Sequence, residues 1–303
     1  HSWNPDICST DSLSFCSVLD KVKEFTPSCE RYDLVMGSHA TGWIPQTNLY
    51  SRTFGVDNNR NVSSSNVGPE MDISTLRDVL AAKLGHVGYI FFDACLMQGI
   101  EVPHLLRDVT DYVVTSPTEI PGKGANYTHM MPILFAKDEA PARIVQQYYD
   151  DEMNGGTGVV ISAIKTSETP ALAETVKPIV KALMDNRTTP SLDGVQTYRE
   201  YETPFYSPCK QPTCYDMLGI AMLADTVEGY QAFRQQLERT VIAYRATNKW
   251  YARLNTNNYI TDITRTCGVS MFVPEARYDK DGWNDYYHAM PWYNAAGYDQ
   301  TGW

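Results

Sequence analysis

Short apolar runs and amphipathic stretches alternate along most of the chain. Four runs are apolar enough for buried strands, at residues 33–38, 89–92, 111–115 and 158–164. Between them, apolar residues recur at helical spacing over residues 11–25, 71–84, 140–154 and 170–184. This alternation predicts an α/β fold, with a mostly parallel sheet that carries helices on both faces as an α/β/α sandwich.

Beyond residue 186 the alternation weakens. Residues 187–213 hold four prolines and predict an ordered loop. The polar stretch 44–69 predicts a long loop, and residues 124–131 predict another loop. Helical spacing returns over residues 215–224 and 227–247, residues 267–273 predict a final strand, and the aromatic tail 277–303 predicts a packed wrap. We therefore expect a core over residues 1–186 and a C-terminal region, 187–303, that packs on it and contributes a late strand.

Two of the predicted strands end at residues with reactive side chains. The strand at 33–38 ends at His39, and the strand at 89–92 runs into Asp93 and Cys95. The carboxyl ends of parallel strands meet at one edge of a sheet, where sites form. The separation, 95 − 39 = 56 residues, is close to the roughly 50-residue His-before-Cys spacing of caspase-type peptidases. A helix predicted soon after Cys95 would stabilise a thiolate, although Cys95 alone also fits a small buried apolar residue.

The segments around these residues resemble the clostripain family of cysteine peptidases. The likeness lies in HATGW (39–43) and DACLM (93–97), and continues through FGVD (54–57), SPTEI (116–120), GKGANY (122–127), GVSMFVP (268–274) and WYNAAG (292–297). It covers most of the chain. The resemblance implies a caspase-like α/β/α fold and hydrolysis of peptide bonds after Arg or Lys.

The resemblance also implies roles for individual residues. Cys95 would be the nucleophile of an acyl-enzyme mechanism, and His39 would exchange protons with the leaving group. Backbone N–H groups of Cys95 and Ala40 would stabilise the oxyanion. Most relatives have Gly after the His, so Ala40 is expected to be strained if its φ is positive.

Asp93 is the candidate for substrate specificity. It lies two residues before Cys95, so strand alternation puts both side chains on the same side. A carboxylate there would bind a cationic P1 side chain, Arg best because of its bidentate fit. The resemblance implies the same role, and capping of the next helix is the alternative. Ser116 and Thr118, after the third strand, are predicted to line the same pocket, and Glu101 is predicted to be structural.

The polar stretch 44–69 separates the His and Cys motifs. Clostripain-family members are often cleaved between these motifs by their own specificity. Arg52 and Arg60 are the basic residues of this stretch, so both are candidate processing sites. The alternative is an ordinary solvated loop arginine.

Net charge and the lengths of the apolar runs argue against two classes of protein, nucleic-acid binders and membrane-spanning proteins. The charge balance of 25 − 36 = −11 argues against a nucleic-acid partner. No apolar run approaches about 18 residues, so no membrane span is expected. No signal peptide is visible, as in a mature or trimmed chain, and the expected location is secreted or cell-envelope.

The seven cysteines are an odd number. In an oxidising compartment at most three pairs form, and we predict that Cys95 stays a thiol. Cys209 and Cys214 could close a local disulfide, remain free thiols, or form half of a metal site. No cofactor is expected. Calcium stays open because some relatives use it, although the sequence has no EF-hand-like loop.

Two other functions fit the same residues. One is a catalytically silent relative that binds peptide or glycan through its aromatic tail. The other is a hydrolase or transferase that uses the same Cys and His on a non-peptide amide.

Overall fold

A computed structural model describes residues 8–44, 54–55, 70–199, 212–250, 259–260 and 262–303. Its central sheet has five strands, in the order β1-β2-β3-β4-β7. They are β1 (Leu34–Gly37), β2 (Val87–Asp93), β3 (Thr110–Thr115), β4 (Val160–Lys165) and β7 (Val241–Ala246). The first three are parallel, β4 is antiparallel to β3, and β7 is antiparallel to β4. Four of the five strands therefore point the same way, which confirms the mainly parallel sheet.

Strand β2 lies at the heart of the sheet and is buried along its whole length. Tyr89 and Phe91 belong to one hydrophobic cluster, whereas Ile90 and Phe92 belong to the other. Side chains alternate between the faces of a strand, so both faces of β2 are covered. This is why β2 reads as an unbroken apolar run.

Helices form the two outer layers. One cluster includes residues of α4 (Tyr127–Leu134) and α5 (Ala140–Gly155), and the other includes residues of α1 (Ser12–Phe25), α2 (Ile73–Lys83), α3 (Glu101–Leu106), α6 (Thr169–Met184) and α8 (Tyr230–Thr240). The side chain of Asp11 caps α1 by accepting the N–H of Ser14, at 2.9 Å. Gly156, with φ 71°, ends α5 in the left-handed conformation. The α/β/α sandwich is confirmed.

A smaller sheet joins the C-terminal region to the core. It has the order β5-β6-β8, from β5 (Thr197–Arg199), β6 (Cys214–Asp216) and β8 (Ser270–Met271). The helices of this region are α7 (Met217–Ala221), α9 (Trp283–His288) and α10 (Pro291–Ala295). Ser270 connects this sheet to the segment between β2 and α3, because its N–H donates to the Gln98 carbonyl and its carbonyl accepts from Ile100 N–H, at 2.9 and 2.8 Å.

Several of the sequence-based elements were wrong in type or extent. Residues 215–224 were predicted as a helix, but their first residues belong to β6 and α7 begins only at Met217. Residues 227–247 were predicted as one helix, but the helix ends at Thr240 and β7 follows, because pairing with β4 decides the conformation of Val241–Ala246. Residues 124–131 were predicted as a loop, yet α4 begins at Tyr127 behind an Asn126 cap. The final strand shrinks to Ser270–Met271.

The aromatic tail is interior rather than a binding surface. Its large rings are almost fully buried: Tyr278, Trp283, Tyr287, Trp292 and Tyr298. Phe272 packs against Tyr287 with ring centroids 4.5 Å apart. The tail therefore closes the core beneath the central sheet, and the idea of a glycan- or peptide-binding aromatic surface loses its basis.

Candidate active site

The ends of β1 and β2 bring His39 and Cys95 to the same level of the sheet. The two strands pair in parallel with Leu34 opposite Ile90 and Gly37 opposite Asp93, a constant offset of 93 − 37 = 56. The interval from His39 to Cys95 is also 95 − 39 = 56 residues. The two residues therefore leave adjacent strands in register, each two positions past the last pair.

The segments that follow these residues lie close together. A Cβ added to Gly42, which has φ +89°, would lie 3.0 Å from the carbonyl oxygen of Leu96. Only a residue without a side chain fits that approach at that φ. Gly42 thus lets the segment after His39 pass directly over the segment after Cys95.

The loop after Cys95 is fixed by neighbouring segments. Leu96 N–H donates to the Thr118 carbonyl at 3.0 Å, and Gln98 N–H donates to the Ser116 carbonyl at 3.2 Å. The buried side-chain amide of Gln98 donates to the carbonyl and hydroxyl of Ser162, at 2.9 and 2.8 Å. These bonds hold the loop after Cys95 against β3 and β4.

Leu96 adopts a left-handed conformation, with φ 61°. A non-glycine residue there costs roughly 1–2 kcal/mol. Such strain persists only where the surroundings over-determine the conformation, and it clusters at functional sites. The sharp turn directly after Cys95 is therefore an independent sign of a site, which the sequence pattern did not reveal.

The sulfur of Cys95 is half-buried beside Ile120. The Ile120 N–H donates to Sγ at 3.4 Å. Burial raises the pKa of the Cys95 thiol above its ordinary value, while the Ile120 N–H lowers it. The expected helix N-terminus is absent at this point, because α3 begins only at Glu101. Burial therefore favours the neutral thiol over the thiolate.

His39 and Ala40 form the opposite side of the site. His39 is exposed, and its carbonyl accepts from the N–H of Gly55 at 2.9 Å, as part of a bridge between Ala40 and Phe54. The bridge thus uses the carbonyl of His39, and the N–H of Ala40 takes no part in it. Ala40 is not among the residues with positive φ. Alanine is consequently unstrained where most relatives have glycine.

Asp93 is buried at the floor of this edge, with 7% of its surface exposed. Its Oδ2 accepts from Ala125 N–H and from Tyr127 Oη, both at 2.8 Å, and its Oδ1 accepts from Tyr148 Oη at 3.4 Å. No Lys or Arg in the described ranges forms an ion pair with it. Asp93 does not cap a helix, so the alternative role considered from sequence does not apply.

Ser116 and Thr118 lie behind the loop that follows Cys95. Both are buried, their hydroxyls are 2.9 Å apart, and Ser116 Oγ also accepts the Thr118 N–H at 3.0 Å. Their carbonyls receive the loop N–H groups described above. Their hydroxyls are therefore engaged within the wall of the site.

Glu101 and His104, on α3, are both buried and both structural. The Glu101 carboxylate accepts the Phe272 N–H at 2.9 Å, and burial raises its pKa to about 7. His104 Nδ1 lies 3.1 Å from the Thr169 hydroxyl, and burial lowers its pKa to about 4. Together they anchor α3 between β8 and α6.

Other predicted features lie outside the described residues or apart from the site. Arg52 and Arg60 lie outside the described residues, as does Cys209. The six described cysteines are free thiols, Cys95 and Cys214 among them. Within the described part of the chain, no group of three His, Cys, Asp or Glu side chains is placed to hold a metal, and no helix has the length and apolarity to cross a membrane.

Comparison with known proteins adds the family context. The sequence matches the model of the clostripain family over residues 2–303. No curated protein matches it.

Several solved structures are similar to the chain. A secreted cysteine protease from Bacteroides thetaiotaomicron, in complex with an irreversible peptide inhibitor, shares 25% identity with a TM-score of 0.79, over 96% of this chain and 79% of its own. An inactive zymogen protease from Parabacteroides distasonis shares 26% with a TM-score of 0.75, over 98% and 78%. A B. fragilis cysteine protease shares 26% with a TM-score of 0.69, over 82% and 99%.

Proposed function

The chain belongs to the clostripain family and is a cysteine peptidase, and we propose that it cuts peptide bonds after Arg or Lys with a Cys95/His39 dyad. Peptides or proteins with a basic P1 residue are then its substrates. The matching register of His39 and Cys95 supports the dyad.

The observation that carries the basic specificity is the unpaired carboxylate of Asp93. A buried charge is normally paired, because desolvation of a lone ion is costly. Asp93 is buried and receives only neutral donors from the described residues. It also precedes Cys95 by two residues, at the end of the same strand. A cationic P1 side chain would supply the positive charge that Asp93 lacks, while the backbone carbonyl carbon of the same P1 residue meets the sulfur of Cys95.

The mechanism follows from the state of the thiol. Because burial raises the pKa of Cys95, the thiol is protonated at neutral pH and needs a base when it attacks. His39 takes this proton as the C–S bond forms, and then gives it to the amine that leaves as the C–N bond breaks. Water next attacks the thioester carbonyl while His39 takes a proton from it; as the C–S bond breaks, the peptide acid is released and His39 returns that proton to the Cys95 thiolate.

Backbone donors complete the site. We assign the N–H groups of Cys95 and Ala40 to the developing oxyanion, because donors aimed at that charge provide the largest electrostatic gain. Ser116 and Thr118, predicted to line the pocket, would shape it by holding the nucleophile loop rather than by contact through their hydroxyls.

Location, processing and calcium are further parts of the proposal. A relative of the same fold is described as secreted, and we propose the same for this chain. Arg52 and Arg60 are proposed as sites of self-processing because both offer a basic P1 residue. Catalysis itself is proposed to need no cofactor, and assays with and without calcium decide whether this ion changes turnover.

Fluorogenic peptides with Arg, Lys or Leu at P1 test this function. Turnover of the two basic substrates, and not of the Leu substrate, is expected. Cys95→Ala and His39→Ala should each lower kcat/KM by more than about a thousandfold. Cys29→Ala is the matched control, because Cys29 is also a free thiol but is exposed elsewhere. Activity that survives Cys95→Ala, or that ignores the P1 charge, would overturn the proposal.

A further inference from the structure

We infer that the phenol of Tyr127 sets the choice between the two basic residues, so that the pocket favours Lys over Arg at P1. The inference rests on the proposed function and narrows it. It is carried by the hydrogen bonds that already occupy Asp93.

The carboxylate of Asp93 has one saturated oxygen. A carboxylate oxygen has about two lone-pair directions for hydrogen bonds. Oδ2 already accepts two donors at 2.8 Å, the Ala125 N–H and the Tyr127 hydroxyl. Among the described residues, Oδ1 accepts only Tyr148 Oη, at the longer distance of 3.4 Å. The remaining capacity therefore lies on Oδ1 alone.

This arrangement removes the usual advantage of arginine. A guanidinium gains most from a bidentate fork, which needs a free position on each carboxylate oxygen. Asp93 offers one such position, so an Arg would make a single contact and leave several N–H groups to be desolvated near a buried carboxylate. A Lys ammonium is a compact charge that needs no fork. The inference therefore opposes the expectation from sequence that Arg binds best.

Tyr127 is placed to control access to Asp93. It is the first residue of α4 and keeps 38% of its surface exposed, while its hydroxyl reaches the buried carboxylate. Burial and the nearby Asp93 charge raise the pKa of its phenol above the ordinary value, so the hydroxyl stays a protonated donor. Because Asn126 caps this helix by accepting the Thr128 N–H, the position of Tyr127 is fixed before substrate arrives.

Tyr148 provides an internal comparison. Its hydroxyl contacts the other oxygen of Asp93 and lies deeper, since Tyr148 is 2% exposed. Removing that hydroxyl would leave Oδ2 saturated. Only the loss of the Tyr127 hydroxyl opens a position on Oδ2 and restores the fork.

The test measures kcat/KM for two peptides that differ only in Lys or Arg at P1. The wild-type protein is expected to favour Lys by about tenfold. Tyr127→Phe should lower the Lys/Arg ratio by about tenfold, mainly through improved Arg cleavage, whereas Tyr148→Phe should leave the ratio within about twofold of wild type. Thermal melting confirms that each variant is folded. The Lys/Arg ratio of the wild-type protein is itself a test of the inference and does not depend on any variant.

The outcomes separate this inference from the proposed function. Cleavage of both substrates with a wild-type preference for Arg would overturn the inference and leave the function intact. A ratio unchanged by Tyr127→Phe, or shifted equally by Tyr148→Phe, would also overturn it. Absence of cleavage after either basic residue would overturn the function and the inference with it.

Discussion

Glu101 is a buried carboxyl group whose titration should be visible in the stability of the whole fold. It is 1% exposed, and it links α3 to Phe272 through a bond of 2.9 Å to the backbone N–H. Glu101→Gln keeps the shape and an oxygen that accepts this bond, but removes the ionisable proton. The variant therefore isolates the cost of the buried charge.

The size of the effect follows from the pKa. Burial raises the pKa of Glu101 from 4.5 to about 7. At roughly 1.36 kcal/mol per pKa unit, the ionised form costs ~3 kcal/mol of folding free energy relative to the protonated form. Because the folded-state pKa is the higher one, this stability is fully present below about pH 4.5 and is lost as pH rises through about 7.

His104, one turn away, has the opposite dependence. Burial lowers its pKa from 6.5 to about 4, so its contribution is present above about pH 6.5 and is lost as pH falls through about 4. In the wild-type protein, the stability that Glu101 loses as pH rises from about 4 to about 7 is offset by the stability that His104 gains over the same range. The difference between Glu101→Gln and wild type removes the His104 contribution and leaves that of Glu101.

Urea unfolding followed by tryptophan fluorescence measures this difference between about pH 4.5 and about pH 8. The variant should gain ~3 kcal/mol over wild type across that range. Glu139→Gln is the control and should show no such trend, because the Glu139 side chain is 81% exposed. A difference that is flat with pH, or that favours wild type as pH rises, would refute the reasoning.

Three further predictions concern the site and its support. Gly124→Ala should raise KM for basic substrates about tenfold or more, because the added Cβ would collide with Oδ2 of Asp93 at a φ of +64°. Gly122→Ala is the control, because Gly122 has open space around it. Equal effects of the two substitutions in steady-state kinetics would contradict the proposed role of Asp93. Asp216→Asn should destabilise the fold by ~2–4 kcal/mol in urea unfolding, because its buried carboxylate accepts hydrogen bonds from three backbone N–H groups and from the Tyr198 hydroxyl. A loss below about 0.5 kcal/mol would contradict this role. Alkylation of Cys95 by iodoacetamide should be half-maximal above the ordinary thiol pKa of about 8.5, because burial raises that pKa; a midpoint below it would indicate a preformed thiolate.

Continuous apolar runs were the most informative signal in the sequence. Strand β2 was predicted because it is buried on both faces and so has no polar alternation. The prediction that His39 and Cys95 share one edge of the sheet came from the ends of two predicted strands, and the parallel register of β1 and β2 agrees with it. The register between β1 and β2 is set by packing. The constant offset of 56 residues between their paired positions could therefore be found only in the structure.

The missed elements depend on contacts distant in sequence. Helix α4 contains Pro132 and follows Gly and Asn residues, all signals of a loop, yet Met130 and Ile133 pack into the core. Strand β7 has an apolar spacing that also fits a helix, and its pairing with β4 decides the outcome.

The surroundings of Asp93 were hidden for the same reason. Tyr127 lies 34 residues from Asp93, and Tyr148 lies 55 residues away. The GKGANY motif contains Tyr127, but nothing local in that motif points to a carboxylate. Leu96 gave no signal either, because left-handed backbone at a leucine reflects the surrounding hydrogen bonds rather than its own preference.

The most direct test of the central claim is to identify the cysteine that an irreversible peptide inhibitor with a basic P1 residue labels. The folded protein would be treated with a thiol-reactive peptide ketone, digested, and mapped by mass spectrometry over its seven cysteines. We predict one equivalent of label on Cys95, lost in His39→Ala and in a peptide with neutral P1. Label on another cysteine, or equal labelling by the neutral peptide, would contradict the account.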